Sequence, residues 1–405
     1  MSKDPNYRPR VAPSLQRAYA WFWLGTILVR IPYWVVTNLT PAQRPRKSWP
    51  LKKAVFLRFV RAWLKGYEKA YMKLVSLPPS DQNVDTSKAV NAVYIEGAPE
   101  LITGKVKEWA EKAGVGAERI PGYWMHKDGT DIAVEAKADE NEKVLYFLHG
   151  GGYTMLSAHP SDPCGNIVRG FLESCPSIKR SFNLEYRLTS VPPEPTRGQF
   201  PCALIDAISG YNYLVNQLGF SPSQIIIAGN SAGANLAQAL TRYLIEYKGT
   251  IPKLPDAPSA LVFLSPWADL SGSNWFPGSS HFTNAGHDTI TLFRVPHAVD
   301  APPAFIEPFG PDIVSQTPYI SPACKYLEDV SFEGFPRTLI NSGDAEVLLD
   351  QCRELSNRMK KSMGEDKVVY YEAKDAWHDY LTVFNEPERS ETLKVVADFV
   401  EGSAK

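Results

Sequence analysis

Two glycine-rich motifs constrain the fold of this chain more than any other feature. The sequence reads His-Gly-Gly-Gly at 149–152 and Gly-Asn-Ser-Ala-Gly at 229–233. Each motif follows a short apolar run typical of a buried strand, VLYFL before the first and QIIIA before the second. The second motif is followed by ANLAQALTRYLIEY, which has a helical pattern. The sequence therefore predicts that Ser231 lies in a strand–turn–helix elbow.

The two motifs suit different chemical tasks. Small residues on either side of Ser231 permit a sharp turn, which holds the hydroxyl group out at the edge of a sheet. The glycines after the other strand have no Cβ atom, so their backbone N–H groups can approach a developing oxyanion closely. We expect Gly151, Gly152 and Ala232 to donate these N–H groups, since Ala232 directly follows the nucleophile.

These motifs and several later segments resemble the hormone-sensitive-lipase branch of the α/β-hydrolase fold. The similarity extends from about Lys143 to about Val400. Within this branch, the chain resembles fungal-type steryl acetyl hydrolases and carboxylesterases. The further matching segments are LEYRL at 184–188, FPCALIDAISGYNYL at 200–214, FLSPWADLSGS at 263–273 and TPYISP at 317–322. The resemblance implies an α/β fold in which helices flank a mostly parallel sheet and a helical cap covers the site. It also implies a serine, a carboxylate and a histidine in that chain order.

His378, in the segment DAWHDY at 375–380, is the candidate general base. It follows the strand-like VVYYEA, as expected for a catalytic histidine on a loop near the end of the domain. The histidines at 159, 281, 287 and 297 all precede the candidate acid, and His149 belongs to the glycine-rich loop. The alternative is that His378 is an ordinary loop residue.

The third member of the triad is open between two carboxylates in LINSGDAEVLLD at 339–350, which resembles the acid-bearing strand end of the family. Family members typically have an Asp four residues after the acid. Glu346 with Asp350 keeps that spacing, whereas Asp344 requires a shift of two residues. We therefore favour Glu346, with Asp344 as the alternative, and expect the acid to orient His378 and to stabilise its imidazolium. Glu346 departs from the commoner Asp, and Asn230 stands where many members have Asp.

The charges of the chain are unevenly distributed. The formal net charge of the 405 residues is −1, yet residues 1–80 hold 15 Lys and Arg against Asp4 and Glu68, a net charge of +13. A basic arm on an acidic body predicts an anionic surface as a partner. We expect no nucleic-acid partner, because the basic residues lie beside apolar stripes and match no nucleic-acid-binding motif.

Cysteine usage and the proposed chemistry argue against bound metals. The five cysteines, at 164, 175, 202, 324 and 352, show no Cys-x-x-Cys spacing. An odd and scattered set disfavours a disulfide framework or a zinc site and favours a reducing compartment. A serine mechanism requires neither a metal nor an organic cofactor, and we expect none.

The first apolar segment of the arm is AYAWFWLGTILV at 18–29, which is shorter than the roughly 20 residues that span a bilayer. Continuing past Arg30 through IPYWVV gives a nearly adequate length. Three interpretations stay open: a membrane or interfacial anchor, a cap element folded over the active site, and a cleaved signal peptide.

The second segment, residues 54–75, predicts an amphipathic helix. Its apolar stripe comprises Val55, Phe56, Phe59, Val60, Trp63, Leu64, Tyr67, Tyr71, Leu74 and Val75. Its basic stripe comprises Arg58, Arg61, Lys65, Lys69 and Lys73. The helix is expected to pack as a cap element, to contact a membrane surface, or both.

A polar stretch from Pro79 to Lys88 predicts a linker. We therefore expect an N-terminal arm at 1–80 and a catalytic domain at 81–405, with a cap insertion of loops and short helices at about 274–319.

The sequence thus predicts a serine hydrolase that cleaves acetyl or short acyl esters of a lipophilic small molecule. We expect an intracellular protein at an endoplasmic-reticulum-type membrane, with a cytoplasmic location as the alternative. Acyl transfer, lactonisation or cyclisation on the same acyl-enzyme is a second candidate function. Receptor-like ligand binding is a third, which the presence of all three triad residue types disfavours.

Overall fold

A computed structural model describes residues 13–69, 90–140, 142–190, 195–290 and 303–402. The predicted linker at 79–88 lies outside the described residues, as do residues 70–75 of the predicted amphipathic helix and residues 291–302 of the predicted cap insertion.

One eight-stranded sheet forms the centre of the described part of the chain. Its strands are β1 (Ala92–Ile95), β2 (Ile120–His126), β3 (Lys143–Leu148), β4 (Ile178–Leu184), β5 (Ile225–Asn230), β6 (Ala260–Leu264), β7 (Arg337–Gly343) and β8 (Val368–Ala373). Their spatial order is β1-β2-β4-β3-β5-β6-β7-β8. The pairs β1–β2 and β2–β4 are antiparallel, and the other pairs are parallel. The predicted mostly parallel sheet is confirmed.

Parallel pairing brings the loops that carry the two motifs to the same edge of the sheet. Leu148 at the end of β3 pairs with Gly229 near the end of β5, and Gly343 of β7 pairs with Ala373 of β8. The carboxyl ends of parallel strands share one edge, which is where open α/β sheets bind their ligands. The four loops after β3, β5, β7 and β8 therefore begin close together.

Helices cover both faces of the sheet, as predicted. The helices defined in the described residues are α1 (Pro13–Thr37), α2 (Leu51–Lys69), α3 (Gly104–Ala113), α4 (Gly165–Ser174), α5 (Cys202–Asn212), α6 (Ala232–Glu246), the short α7 (Ser280–Thr283), α8 (Leu349–Met363) and α9 (Arg389–Glu401). Of these, α1 packs on α2 and not on the sheet. Side chains alternate along β3, so that Tyr146 and Leu148 join α5 and α6 in one core, whereas Leu145 and Phe147 join α4 and α9 in the other.

The N-terminal arm contributes to the second of these cores. Trp49 and Leu57 are fully buried in it, and the Trp49 indole donates a hydrogen bond to the carbonyl oxygen of Asp375 at 2.9 Å. The Trp49 ring also packs edge-on against Trp377, with ring centroids 5.5 Å apart. The beginning of α2 therefore lies directly against the loop that carries His378.

The face that α2 buries differs from the predicted one. Ala54 and Leu57 are buried, whereas Val55 and Phe59 of the predicted apolar stripe are only partly buried. Arg61, which we placed on the solvated basic stripe, instead donates hydrogen bonds to backbone carbonyl oxygens of a neighbouring loop. Helical periodicity does not reveal this arrangement, because a guanidinium group can be buried wherever unpaired carbonyl groups accept its N–H groups.

Helix α1 is longer than the predicted apolar segment and packs against α2 along one side. Ile27 is buried, and the Trp23 indole donates to the carbonyl oxygen of Ala62 at 2.6 Å. The opposite side is an exposed apolar stripe made of Leu15, Trp21, Phe22, Leu28, Val29, Tyr33 and Val36. Within the described ranges, the 21-residue segment Arg17–Thr37 is the one helix long and apolar enough to cross a membrane, judged by length and composition alone.

Lys53 joins α2 to the body of the molecule, and we expect its removal to be strongly destabilising. Its ammonium group lies 2.7 Å from carboxylate oxygens of both Glu386 and Glu388, and its side chain is 2% exposed. Lys53→Met leaves these carboxylates without their cation in a buried setting. The free energy of unfolding should fall by about 3–5 kcal/mol. Chemical denaturation at pH 8 measures the change.

Arg353→Met is the matched control, because Arg353 pairs with Glu372 at 2.7 Å but is 47% exposed. Solvent screens that pair, so its loss should cost at most about 1 kcal/mol. Equal losses in the two variants would show that Lys53 does not anchor α2.

Candidate active site

Ser231 occupies the sharp turn that the sequence predicts. Strand β5 ends at Asn230, helix α6 begins at Ala232, and Ser231 between them has φ 52° and ψ −117°. A Cβ atom on Gly233 would lie 2.0 Å from the carbonyl oxygen of Leu148, so only glycine fits there. The turn places a non-glycine residue in a sparsely populated region of backbone conformation, which is common at functional sites.

The structure brings Ser231, His378 and Glu346 together. The Ser231 Oγ atom lies 3.0 Å from His378 Nε2, and His378 Nδ1 lies 3.2 Å from Glu346 Oε2. The three residues are 8%, 5% and 0% exposed, respectively. They come from the loops after β5, β8 and β7, which the sheet aligns at one edge. An imidazole that contacts both a carboxylate and a hydroxyl group can accept the hydroxyl proton and so activate the hydroxyl oxygen as a nucleophile.

The carboxylate of Glu346 is fixed by two further donors. Its Oε1 atom accepts hydrogen bonds from the Ser265 hydroxyl at 2.6 Å and from the backbone N–H of Gly343. The second oxygen is left for the imidazole of His378. Because both oxygens have partners, the carboxylate is held in the orientation that fixes the His378 ring.

Asp344, the alternative acid, points elsewhere. Its side chain forms an ion pair with Arg46 and accepts the backbone N–H of Asp375 at 2.7 Å. It is 28% exposed, whereas Glu346 is fully buried. In the described structure, Glu346 lies within hydrogen-bond distance of His378 and Asp344 does not. Asp344 instead anchors the N-terminal arm.

The glycine-rich loop adopts the conformation that close backbone approach requires. Gly151 and Gly152 have φ angles of 108° and 60°, and a Cβ atom on Gly151 would lie 2.0 Å from the carbonyl oxygen of Met155. In the described part of the chain, no group accepts a hydrogen bond from the backbone N–H of Gly151, Gly152 or Ala232. These donors are thus available to an anionic oxygen.

Asn230 connects the glycine-rich loop to the elbow. Its Oδ1 atom accepts the backbone N–H of Gly150 at 2.9 Å, and its Nδ2 atom donates to Asp379 at 2.9 Å. An aspartate at position 230 would have no side-chain N–H group to donate to Asp379 and would place a second negative charge beside it. Asn230, where many family members have Asp, is therefore suited to donating a hydrogen bond to the carboxylate of Asp379, the residue after His378.

His149 supports the glycine-rich loop. Its ring is fully buried and stacks on Tyr186 with ring centroids 4.2 Å apart, and the Tyr186 hydroxyl donates to the His149 carbonyl oxygen at 2.6 Å. Burial lowers the pKa of His149 to about 4. The ring is therefore neutral near pH 7, which suits a packing role.

His378 is surrounded by negative charge. Burial alone lowers the pKa of His378, but the charges of Asp379, Glu346 and Asp288 outweigh burial and raise it to about 9. Asp379 Oδ2 lies 3.4 Å from His378 Nε2, on the side of Ser231. The site therefore stabilises the imidazolium form.

Sequence reasoning missed Asp379 and Asp288 as residues of the site. Asp379 directly follows His378, and its position in the chain was a usable signal. Asp288 lies 90 residues before His378, in a segment without periodicity, yet it accepts the backbone N–H of His378 at 3.0 Å. No local pattern indicates such a contact.

Aromatic side chains line the neighbourhood of the glycine-rich loop. The Tyr153 ring stacks on Phe305 with ring centroids 4.3 Å apart. Trp267 donates its backbone N–H to the Ser231 carbonyl oxygen at 3.1 Å, and its ring lies 3.9 Å from where a Cβ atom on Gly152 would stand. Phe305 lies in the predicted cap insertion. Tyr153 and Phe305 belong to the buried core, whereas Trp267 is only partly buried.

No cluster of three or more His, Cys, Asp or Glu side chains that could hold a metal ion occurs among the described residues. The five cysteines are buried and form no disulfide bond with one another.

Comparisons with known proteins agree with this arrangement. Residues 145–382 match a family model described as the α/β-hydrolase fold. An acetyl-hydrolase of Streptomyces hygroscopicus is 31% identical over 272 residues, which are 65% of this chain and 77% of that protein. An esterase of Acinetobacter venetianus is 28% identical over 276 residues, which are 67% of this chain and 78% of that protein.

Solved structures show the same fold. An esterase from the bacterial hormone-sensitive lipase family aligns with a TM-score of 0.58 and 23% identity, over 88% of this chain and 99% of that one. A mutant of the esterase E40 aligns with a TM-score of 0.56 and 23% identity, over 85% and 91% of the two chains.

The electrostatics of the site predict two very different histidine titrations. His378 should stay protonated at pH 7 and lose its proton near pH 9, because negative charges favour the imidazolium. His149 should stay neutral down to about pH 4, because burial disfavours its charged form. Imidazole ¹⁵N chemical shifts followed across pH measure both, and His378→Gln assigns the resonances. A His378 proton lost at or below its ordinary pKa of 6.5 would contradict the stabilised imidazolium.

Proposed function

Since the chain belongs to the α/β-hydrolase fold family and is a carboxylic ester hydrolase, we propose that Ser231, His378 and Glu346 carry out its reaction. The observation that supports this assignment is the unbroken series of contacts from Ser231 Oγ through the His378 ring to Glu346, at 3.0 and 3.2 Å. The buried setting keeps water from competing for these hydrogen bonds.

In the proposed mechanism, His378 Nε2 takes the hydroxyl proton of Ser231 as Oγ attacks the ester carbonyl carbon. The carbonyl oxygen becomes an oxyanion, which the backbone N–H groups of Gly151, Gly152 and Ala232 stabilise. His378 then gives its proton to the leaving alcohol, and the acyl group remains on Ser231. Water attacks this acyl-enzyme with His378 as the base again, and the carboxylic acid leaves.

Glu346 orients the His378 ring and stabilises the imidazolium that forms. Asp379 stabilises the same species from the Nε2 side, where it lies at 3.4 Å. Because His378 acts as a base only when neutral, kcat/KM should rise with pH up to about pH 9.

The substrate we propose is an acetyl or other short acyl ester of a lipophilic small molecule. The partly buried ring of Trp267 near Gly152 supports an apolar group, since aromatic rings bury much apolar surface. The Streptomyces relative, an acetyl-hydrolase, supports a short acyl part.

Substitution of Ser231 and of the two candidate carboxylates tests the triad. Ser231→Ala should lower kcat by roughly 10⁴–10⁶ on a panel of esters of graded acyl length. Glu346→Gln should lower kcat by roughly 10⁴, because His378 loses the acceptor that fixes its tautomer. Asp344→Asn should lower kcat by less than about 10-fold, because Asp344 contacts Arg46 and not His378.

The reverse ranking of the two variants would transfer the acid role to Asp344. Product analysis should find free acid and free alcohol, and a transferred or cyclised acyl product would replace hydrolysis by the second candidate function. Failure of a fluorophosphonate to label Ser231 in the folded protein would leave ligand binding as the function.

We also propose that α1 places the enzyme on an anionic membrane surface. The exposed stripe of α1 is apolar along the whole helix, and the helix contains no Asp or Glu. Lys47, Lys52 and Arg58 are exposed on the following loop and on α2. An apolar face beside such cations is typical of helices that lie in the membrane interface.

The packing of α1 favours a position in the plane of the membrane over a spanning one. Trp23 and Ile27 hold α1 against α2, and α2 carries the exposed Arg58 and Lys65. A spanning α1 that kept this packing would draw both cations into the hydrocarbon, at roughly 2.5–3.5 kcal/mol each. We therefore propose a surface contact and do not assign it to a particular organelle.

A vesicle assay with the full chain tests this contact. We expect sedimentation with vesicles of phosphatidylserine and phosphatidylcholine and incomplete release by high salt, because apolar burial is insensitive to salt. Phe22→Glu with Val29→Glu should abolish the salt-resistant part, since both side chains lie on the exposed stripe.

Tyr326→Glu with Phe384→Glu is the matched control, because these two exposed aromatic residues lie outside the arm. The control should bind vesicles like the unchanged chain. A full-length protein that stays in the supernatant without detergent would refute the membrane contact.

A further inference from the structure

Asp288 is a fully buried carboxylate that lies between two loops of the proposed site. Its Oδ1 atom accepts the backbone N–H of His378 at 3.0 Å, and its Oδ2 atom accepts the backbone N–H of Val347 at 2.7 Å. Val347 directly follows Glu346. One side chain from the predicted cap insertion thus binds the backbone beside both the proposed base and the proposed acid.

We propose that Asp288 is a positioning residue for the hydrolysis proposed above, on which this inference rests. Its carboxylate fixes the distance between the loop after β7 and the loop after β8. The contact between His378 Nδ1 and Glu346 Oε2 depends on that distance, because Ser265 and Gly343 hold the Glu346 carboxylate and it cannot follow a displaced His378. Asp288 does not touch the reacting atoms and acts through His378 and Glu346.

The donor pattern around Asp288 requires a carboxylate. Each oxygen accepts a backbone N–H from a different loop, and Oδ1 also accepts the N–H of Thr289 at 2.6 Å. An asparagine has one acceptor oxygen and would turn its NH₂ group toward one of these N–H donors. Burial and the charge of Glu346 raise the pKa of Asp288 on balance, although the charge of His378 and the hydrogen bonds from Val347 and His378 lower it.

Asp288 is itself held in place from outside the site. Arg61 of α2 donates from Nε to the Asp288 carbonyl oxygen at 3.0 Å and from Nη2 to the Ala285 carbonyl oxygen at 2.7 Å. Asn284 Nδ2 donates to the carbonyl oxygens of Asp344 at 3.0 Å and Glu346 at 2.9 Å. Segment 284–288 is therefore fastened between α2 and the acid-bearing loop.

The charge of Asp288 also acts on His378. Three carboxylates surround this histidine: Glu346 at Nδ1, Asp379 near Nε2, and Asp288 at the backbone N–H. Each favours the imidazolium, so removal of one charge lowers the pKa of His378. Loss of Asp288 should thus change both the alignment of the base and its titration, which a merely structural residue would not do.

The test measures the rate constant with which a fluorophosphonate labels Ser231, from pH 5 to pH 10, together with kcat and KM for an ester. Asp288→Asn should lower the plateau labelling rate and kcat by about 10²-fold, since a displacement of about 1 Å has that effect. KM should change by less than about twofold, because Asp288 does not contact substrate. The acid limb of the pH profile, which is the rise of the labelling rate as His378 loses its proton, should move to lower pH.

Two further variants make the result specific. Asp350→Asn is the matched control: Asp350 accepts the backbone N–H of Ser280 at 2.7 Å, so it also binds the cap region to the body, but it contacts neither His378 nor Glu346. It should leave the acid limb in place. Asp288→Glu keeps the charge on a longer side chain. This variant should lower the plateau labelling rate but keep the acid limb near the pH at which it lies in the unchanged chain.

Several outcomes would overturn the inference. Asp288→Asn with an unchanged plateau and limb would do so, as would equal effects of Asp288→Asn and Asp350→Asn on rate and limb. If Asp288→Asn does not fold, as judged by circular dichroism, an Asp288→Glu variant with unchanged plateau would refute positioning. If the unchanged chain is labelled at Ser231 but hydrolyses no ester, the proposed function fails, while the labelling profiles of the variants still decide the role of Asp288.

Discussion

The close approach of the nucleophile elbow to the end of β3 is the constraint on which the site depends. Leu148 pairs with Gly229 in the sheet, and a Cβ atom on Gly233 would stand 2.0 Å from the Leu148 carbonyl oxygen. Because glycine permits this approach, the turn at Ser231 lies against the beginning of the glycine-rich loop. Gly150 is then within reach of Asn230, at 2.9 Å. The proposed nucleophile and oxyanion donors are thus placed by close backbone packing and by the side chain of Asn230.

The fold and the local parts of the site were predictable from the sequence because their signals are local. The glycine spacing around Ser231 predicts a turn, and the apolar run before each motif predicts a buried strand. Glu346 was chosen from the family spacing to Asp350, and His378 from the strand-like segment before it and from the order of the triad in the chain. By contrast, Asp288 and Arg61 act on loops far away in the chain, and the choice between two faces of α2 depends on tertiary packing that periodicity does not contain.

The N-terminal arm and the catalytic loops behave as one structural unit. Arg46 pairs with Asp344, which is the carboxylate that sequence reasoning considered as the alternative acid. Trp49 binds the Asp375 carbonyl oxygen and packs on Trp377, three residues and one residue away from His378, respectively. The inner side of the arm therefore stabilises the loops that carry the base and the acid, while its outer side exposes the apolar stripe of α1. Helix α1 is joined to these loops through its packing on α2.

The negative charges around His378 impose a compromise on catalysis. A pKa of about 9 leaves roughly 1% of His378 in its basic, neutral form at pH 7. The same charges stabilise the imidazolium that accompanies the oxyanion, and they do so in a buried site where electrostatic interactions are strong. A bound apolar substrate that removes water strengthens both the burial effect, which lowers the pKa of His378, and the attraction of the carboxylates, which raises it. The three carboxylates thus reduce the fraction of active base before the attack and stabilise the imidazolium that forms during it.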